Sequence, residues 1–163
     1  MLEIAKVGSV SILSPMQIRT LLPSEADEAA DLFIEVFSAD PWREDWRKID
    51  AERRIGELMA IPSMIALAAW RESRLLGFAI GIAEQQSEGK CLIIREFCVS
   101  SSERRKGIGL TLLAAIEGRC REEKIELVGL STQQSSPGFS FYRKQGFSRV
   151  DEEVYMIKKI ENT

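Results

Sequence analysis

Glu96-Phe97-Cys98-Val99-Ser100-Ser101-Ser102-Glu103-Arg104-Arg105-Lys106-Gly107-Ile108-Gly109-Leu110 is the stretch on which the fold turns. Its first residues close an apolar run, Cys91 to Val99, interrupted only by Arg95 and Glu96. A run this dense in apolar side chains reads as a strand covered on both faces. A short polar loop follows, and Gly107 to Glu123 reads as a helix whose Ile108, Leu112, Ile116 and Cys120 recur every four residues on one face. Ile125 to Leu130 reads as the next strand, so the segment is a strand–helix–strand crossover, the unit that joins parallel strands.

Working outward, Met16 to Leu22 alternates as a first strand stopped by Pro23. Ser24 ahead of Glu25, Asp27 and Glu28 suits a helix start, because carboxylates favour the exposed N–H groups there. Ala29, Leu32, Phe33, Val36 and Phe37 then share a helical face; Pro41 breaks the pattern and Glu44 to Ala60 resumes it. Ser63–Trp70 and Leu75–Ala83 read as a hairpin turning at Arg71, Glu72 and Ser73. Downstream, Phe139 to Gln145 reads as a short helix and Val154 to Ile160 as a closing strand. The order is that of a single α/β domain with a mixed sheet. Residues 1–15, diluted by Gly8, Ser9, Ser11 and Ser14, read as a flexible extension with Met16 as an alternative start, and residues 16–163 as the domain.

Composition removes several classes of chemistry. The 163 residues include no histidine, which eliminates the commonest general base, the usual zinc sets and any Ser-His or Cys-His nucleophile. The net charge of −3 lacks the basic excess of a phosphate-tracking nucleic-acid binder. No apolar run spans a membrane, since Ile61–Trp70 is broken by Pro62 and Ser63. Cys91, Cys98 and Cys120 form no CxxC pair and read as reduced core cysteines of a cytoplasmic protein.

Free N–H groups at a helix start seat phosphate oxygens, and glycine lets a phosphate approach the backbone. Gly107-Ile108-Gly109 offers that geometry, with Arg104, Arg105 and Lys106 just ahead. Alone it weighs evenly against a plain helix start beside a solvated basic turn. It is not a dinucleotide fingerprint, because Leu112 stands where a third glycine belongs, nor a P-loop, which needs Gly-Lys-Ser/Thr.

At this point the chain resembles the GNAT family of N-acetyltransferases, in particular the branch of small domains that includes the aminoglycoside enzymes. Arg104-Arg-Lys-Gly107-Ile-Gly109 fits the family's Arg/Gln-x-x-Gly-x-Gly/Ala signature, and Tyr142-Arg-Lys-Gln-Gly146-Phe147 fits its Tyr-x-x-x-Gly-Phe motif. The element order from Met16 to Ile160 agrees as well. The resemblance implies a mixed, mostly antiparallel sheet of about six to seven strands with about four helices, and a splayed parallel pair holding acetyl-CoA as cosubstrate, without metal. By that analogy Phe97, Cys98 and Val99 hold pantetheine through their backbone. Residues Arg104, Arg105, Lys106, Gly107, Ile108, Gly109 and Leu110 surround the pyrophosphate, and a backbone N–H near Val99 stabilises the oxyanion. Ser135 stands where many relatives have asparagine, which weakens the polar contact expected there, and Pro137-Gly138 replaces a helical alanine region.

The resemblance makes Tyr142 the acid that protonates the departing thiolate, against a reading as a packed aromatic. Glu96, between Ile94 and Cys98 and read as lying on one strand face with them, is the candidate base, against a structural ion pair or solvent as proton acceptor. Trp42 and Trp46, four apart and read as one face of the second helix, with Asp40 and Glu44 form the expected wall for a small cationic amine. For each tryptophan a core role weighs equally. Neither nucleic acid nor membrane is an expected partner, and a homodimer is left open. The alternatives are a protein amine as acceptor, an acyl-CoA-binding sensor without turnover, and an interaction domain without ligand.

Overall fold

The computed structural model describes residues 14–160. Residues 1–13 of the expected flexible extension lie outside them. The chain divides into two compact units, one ending at Ser131 and the other beginning at Thr132, each described by itself.

Among the described residues the first unit holds five strands: β1 (Gln17–Thr20), β2 (Met64–Arg71), β3 (Arg74–Gln86), β4 (Gly89–Val99) and β5 (Leu127–Leu130). They form one sheet in the order β1-β2-β3-β4-β5, antiparallel except for the parallel pair β4–β5. Three helices accompany them: α1 (Ala26–Phe37), α2 (Lys48–Met59) and α3 (Ile108–Glu122). The second unit contains α4 (Pro137–Lys144). No described helix is long and apolar enough to cross a membrane.

Each sheet face is covered for a sequence-visible reason. Ala51, Ile55 and Met59 recur every four residues and are the buried side chains of α2, while α1 buries Leu32, Phe33 and Val36. Together they pack on Ala66, Ala68, Phe78, Ile80 and Cys98, one face of β2, β3 and β4. On the other face, α3 packs against β2, β3 and β4 through Ile108, Leu112, Leu113 and Ile116. Gly77 is where that packing is closest. A Cβ there would sit 2.8 Å from the Cys98 carbonyl oxygen and 3.1 Å from Leu112 Cδ1.

Four expectations are corrected. The second helix begins at Lys48, not Glu44, so Trp42 and Trp46 lie in the irregular segment before it; Arg43 there has a left-handed φ of 50°, which ends helical continuity. Ser24 caps nothing, because Pro23–Glu25 form a 3-10 turn in which the Glu25 carboxylate accepts from the Leu22 N–H at 2.9 Å. The sheet has five strands rather than six or seven. The closing strand is missing from the described residues: Val154, Tyr155, Met156 and Ile157 are exposed and outside regular structure. Their β-propensity describes side chains that suit a pleated surface, but a strand also needs a paired edge, which propensity cannot supply.

The Gly77 contact fixes an expectation. Gly77→Ala should destabilise the protein by about 1–3 kcal/mol through overpacking between β4 and α3. Gly118→Ala, inside α3 with nothing within 4 Å of the added Cβ, should instead stabilise by about 0.4–1 kcal/mol. Urea denaturation of both variants checks the contrast; equal effects would show that β4 and α3 are not in this contact.

Candidate functional site

The geometry of β4 positions the site. Its pairing with β3 runs Val99↔Gly77, Cys98↔Phe78, Phe97↔Ala79 and Glu96↔Ile80, then jumps to Ile94↔Gly81. Arg95 is therefore an extra residue, a β-bulge. Cross-strand partners share a face, so Glu96 lies with Ile80 on the α1/α2 side and Ile94 lies with Gly81 on the other. The expectation that Glu96 shares a face with Ile94 is thus corrected, while its grouping with Cys98 stands. The bulge also coincides with the end of the parallel pair, whose last partners are Ile94↔Leu130. Beyond Ile94, β4 continues to Val99 with β3 on one side and without β5 on the other.

Glu96 is 4% exposed. Burial holds its carboxyl above the usual carboxylate range, Arg54 and Arg95 oppose that rise, and Glu44 adds to it. The Arg54 guanidinium, from α2, donates from Nε to Glu96 Oε1 at 2.6 Å, and its Nη2 lies 2.5 Å from the same oxygen as an ion pair. Sequence reading left the partner of this glutamate open between a lysine and an arginine of a neighbouring element; a separation of 42 positions leaves no local signal.

From Val99 the loop to α3 is tied at three points. The Glu35 carboxylate, from α1, accepts from the Ser101 N–H at 2.8 Å and from Ser100 Oγ at 3.1 Å. Buried Glu103 meets Arg71 at 3.4 Å and Arg74 and Lys106 at 3.5 Å each. The Arg104 guanidinium lies 5.6 Å from the Trp42 ring, and its Nη2 is buried with no hydrogen-bond partner among the described residues. Two of the three signature cations thus turn toward the protein, and only Arg105 points to solvent without such a contact among the described residues. Sequence reading missed Glu35, Glu103 and Arg71, which hold this loop; a buried acid followed by a basic run was the only available hint.

Two left-handed residues, Arg105 (φ 61°) and Gly107 (φ 84°), bend the loop into α3. Gly107 is the residue before the first turn, whose Ile108, Gly109 and Leu110 amides precede the first intrahelical bond, Thr111 N–H to Gly107 C=O at 3.0 Å. Ile108 is buried, Gly109 half-buried and Leu110 exposed. The residues present fit a phosphate-bearing ligand: an outward first turn, an unmet Arg104 donor, and a strand that outruns its parallel neighbour. Phe97 and Val99 are half-buried and Cys98 fully buried. Burial raises the Cys98 thiol far above its ordinary value, and the Cys91 and Cys120 thiols rise for the same reason. None of the three supplies a thiolate near neutral pH.

In the segment before α2, Trp42 packs on Phe37 with ring centroids 5.4 Å apart, and Trp46 packs edge-on to Phe33 at 4.9 Å. Asp40 pairs with Arg43, and Glu44 Oε2 accepts from the Trp46 indole N–H at 2.5 Å. Both tryptophans therefore border the α1 core while remaining half-buried.

In the second unit, Ser136 caps α4, accepting from the Phe139 N–H at 3.3 Å, and Pro137 takes the first helical position. Ser135 is exposed, one residue before the cap. At the other end the Gly146 N–H donates to Arg143 C=O at 3.2 Å and the Phe147 N–H to Tyr142 C=O at 3.1 Å, with Gly146 at φ 89°. This is the Schellman closure, and the Tyr142 and Phe147 rings meet edge-on at 5.4 Å. The glycine and phenylalanine of Tyr-x-x-x-Gly-Phe are thereby explained by helix termination.

Residues 21–158 match the family model described as an acetyltransferase (GNAT) domain. No curated protein matches the chain. Among solved structures, a possible acetyltransferase from Clostridium difficile 630 superposes with a TM-score of 0.77 at 16% identity, over 90% of this chain and 99% of that one. An aminoglycoside acetyltransferase from an uncultured soil metagenomic sample gives 0.71 at 17% identity, over 90% and 97%. A ribosomal-protein-alanine N-acetyltransferase from Brucella melitensis biovar Abortus 2308 gives 0.70 at 19%, over 89% and 100%. At these identities the likeness is one of fold.

The Glu103 cluster predicts a pH signature. Burial alone raises its carboxyl, but Lys106 and Arg71 outweigh burial and hold it below the usual range. The stability it contributes is present above the unfolded value of about 4.3 and is lost as pH falls through the lower folded value. Glu103→Gln should lower Tm at neutral pH, with the gap to wild type closing as pH drops below about 4. A gap that persists in acid would mark a packing effect instead.

Proposed function

The chain belongs to the GNAT acetyltransferase family, and from that premise we propose that it transfers the acetyl group of acetyl-CoA directly to a primary amine of a small molecule. The observation that carries the proposal is the departure of β4 from β5 after Ile94, followed by a loop that delivers an outward first turn at Gly107–Leu110. In this reading the β4 backbone around Cys98 and Val99 lies along pantetheine and the first-turn N–H groups of α3 hold the pyrophosphate. Acetyl-CoA supplies the activated thioester carbonyl, and a backbone N–H near Val99 stabilises the oxyanion that forms as the amine attacks.

The protein's own residues then move two protons. Glu96, buried and raised, takes one from the ammonium directly or through a water. Tyr142 gives one to the departing thiolate. The three protonated thiols support transfer without a covalent intermediate. The half-buried Trp42 and Trp46 with Asp40 and Glu44 support an amine that arrives as a cation.

Two measurements test the proposal. Acetyl-CoA should raise Tm, and Gly109→Asp, which puts a side chain and a negative charge in the first turn, should abolish the shift. A folded Gly109→Asp protein with an unchanged shift would sink the cofactor seat.

In pH–rate profiles, kcat/KM should fall on the acid side with a midpoint above about 4.3, the value of a solvated glutamate. Glu96→Gln should remove that limb. Tyr142→Phe should lower kcat by roughly 10²-fold or more, with the deficit shrinking as pH rises and the thiolate leaves unaided. Variants within about threefold of wild type would leave both residues structural, since general acid–base catalysis gives about 10²-fold or more.

A further inference from the structure

Arg54 does more than balance a buried charge. Besides its two contacts to Glu96 Oε1, its guanidinium lies 5.9 Å from the Phe33 ring centroid and 5.8 Å from that of Trp46. A carboxylate and two aromatic rings converging on one point is the arrangement that receives a ligand cation. Here the protein's own cation fills it, on a side chain 39% exposed. We infer that Arg54 is a specificity-determining residue: it occupies the cation seat beside Glu96, so the acceptor wall takes amines whose neighbouring group is neutral or anionic and rejects a second positive charge.

This inference rests on the acetyl-transfer reading, with the amine brought to Glu96. The other charges around Glu96 do not replace Arg54. Arg95, the bulged neighbour on β4, and Glu44, from the segment before α2, act on it through their charges without contact, and Cys98 on the same face of β4 is a protonated thiol. Asp40 is already paired with Arg43, and Glu44 is hydrogen-bonded to the Trp46 indole. The charged group in contact with Glu96 is therefore cationic, and a second ammonium on the acceptor meets like charge there.

The test uses three amines of the same reach, hexylamine, hexamethylenediamine and aminocaproate, with saturating acetyl-CoA and detection of free thiol. Wild type should use hexylamine and aminocaproate with kcat/KM about tenfold above the diamine, the size of repulsion between partly screened charges several ångströms apart. Arg54→Gln, which leaves the Glu96 carboxylate and both rings facing the amine, should erase or reverse that order. Arg54→Lys keeps the charge and should keep the order. Because removing Arg54 leaves a buried carboxylate unpaired and threatens folding, wild type alone provides a second reading: added salt should shrink the diamine penalty and leave hexylamine unchanged. A wild type that prefers the diamine, a salt-independent ratio, or an unchanged ratio in a folded Arg54→Gln protein makes Arg54 a structural ion pair only. Thiol release with none of the three amines, in a protein whose Tm still rises with acetyl-CoA, overturns the acetyl-transfer reading and this inference together.

Discussion

One extra residue in β4 governs the arrangement of the site. The bulge at Arg95 inverts the alternation of the strand, so that Glu96 faces α1 and α2 while Ile94 faces the other way. It falls where the β4–β5 ladder stops at Ile94↔Leu130. The same discontinuity therefore aims the buried carboxylate of β4 at α1 and α2 and releases the end of β4 from its parallel neighbour. A strand that kept its register would bury Glu96 against α3, away from Arg54.

The loop from Val99 to Gly107 extends this logic. Its anchors come from three separate parts of the chain: Glu35 on α1, Arg71 and Arg74 on either side of the β2–β3 turn, and the Trp42 ring in the segment before α2. Each holds the loop short of α3, whose first-turn amides precede the first intrahelical bond, Thr111 N–H to Gly107 C=O. Charge in the basic run serves largely to fix the loop, Lys106 on Glu103 and Arg104 against Trp42. α1 and the segment before α2 are thereby joined to this loop through Glu35 and Arg104.

The two sequence signatures divide differently between structure and chemistry. In the second unit, Gly146 and Phe147 close α4, and Tyr142 takes part in that closure through its carbonyl and its ring contact with Phe147, which leaves only its hydroxyl outside the account of helix termination. In the first, Gly107 is required by its positive φ, with open space around the position of a Cβ, so its role there is conformational.

What the sequence determined by itself is what short-range periodicity and steric preference encode. The four-residue repeat of Ile108, Leu112, Ile116 and Cys120 is the buried face of α3, the apolar run of Cys91–Val99 is a strand covered on both sides, and two spaced motifs carry the family. Only the tertiary structure decided the rest. It turned Glu96 from Ile94's face, placed Trp46 before α2 rather than on it, paired Glu96 with Arg54, and left Val154–Ile157 outside any sheet. Periodicity acts over a few neighbouring residues, whereas a register shift, an ion-pair partner 42 residues away or a free strand edge is set by segments that meet only when the chain folds.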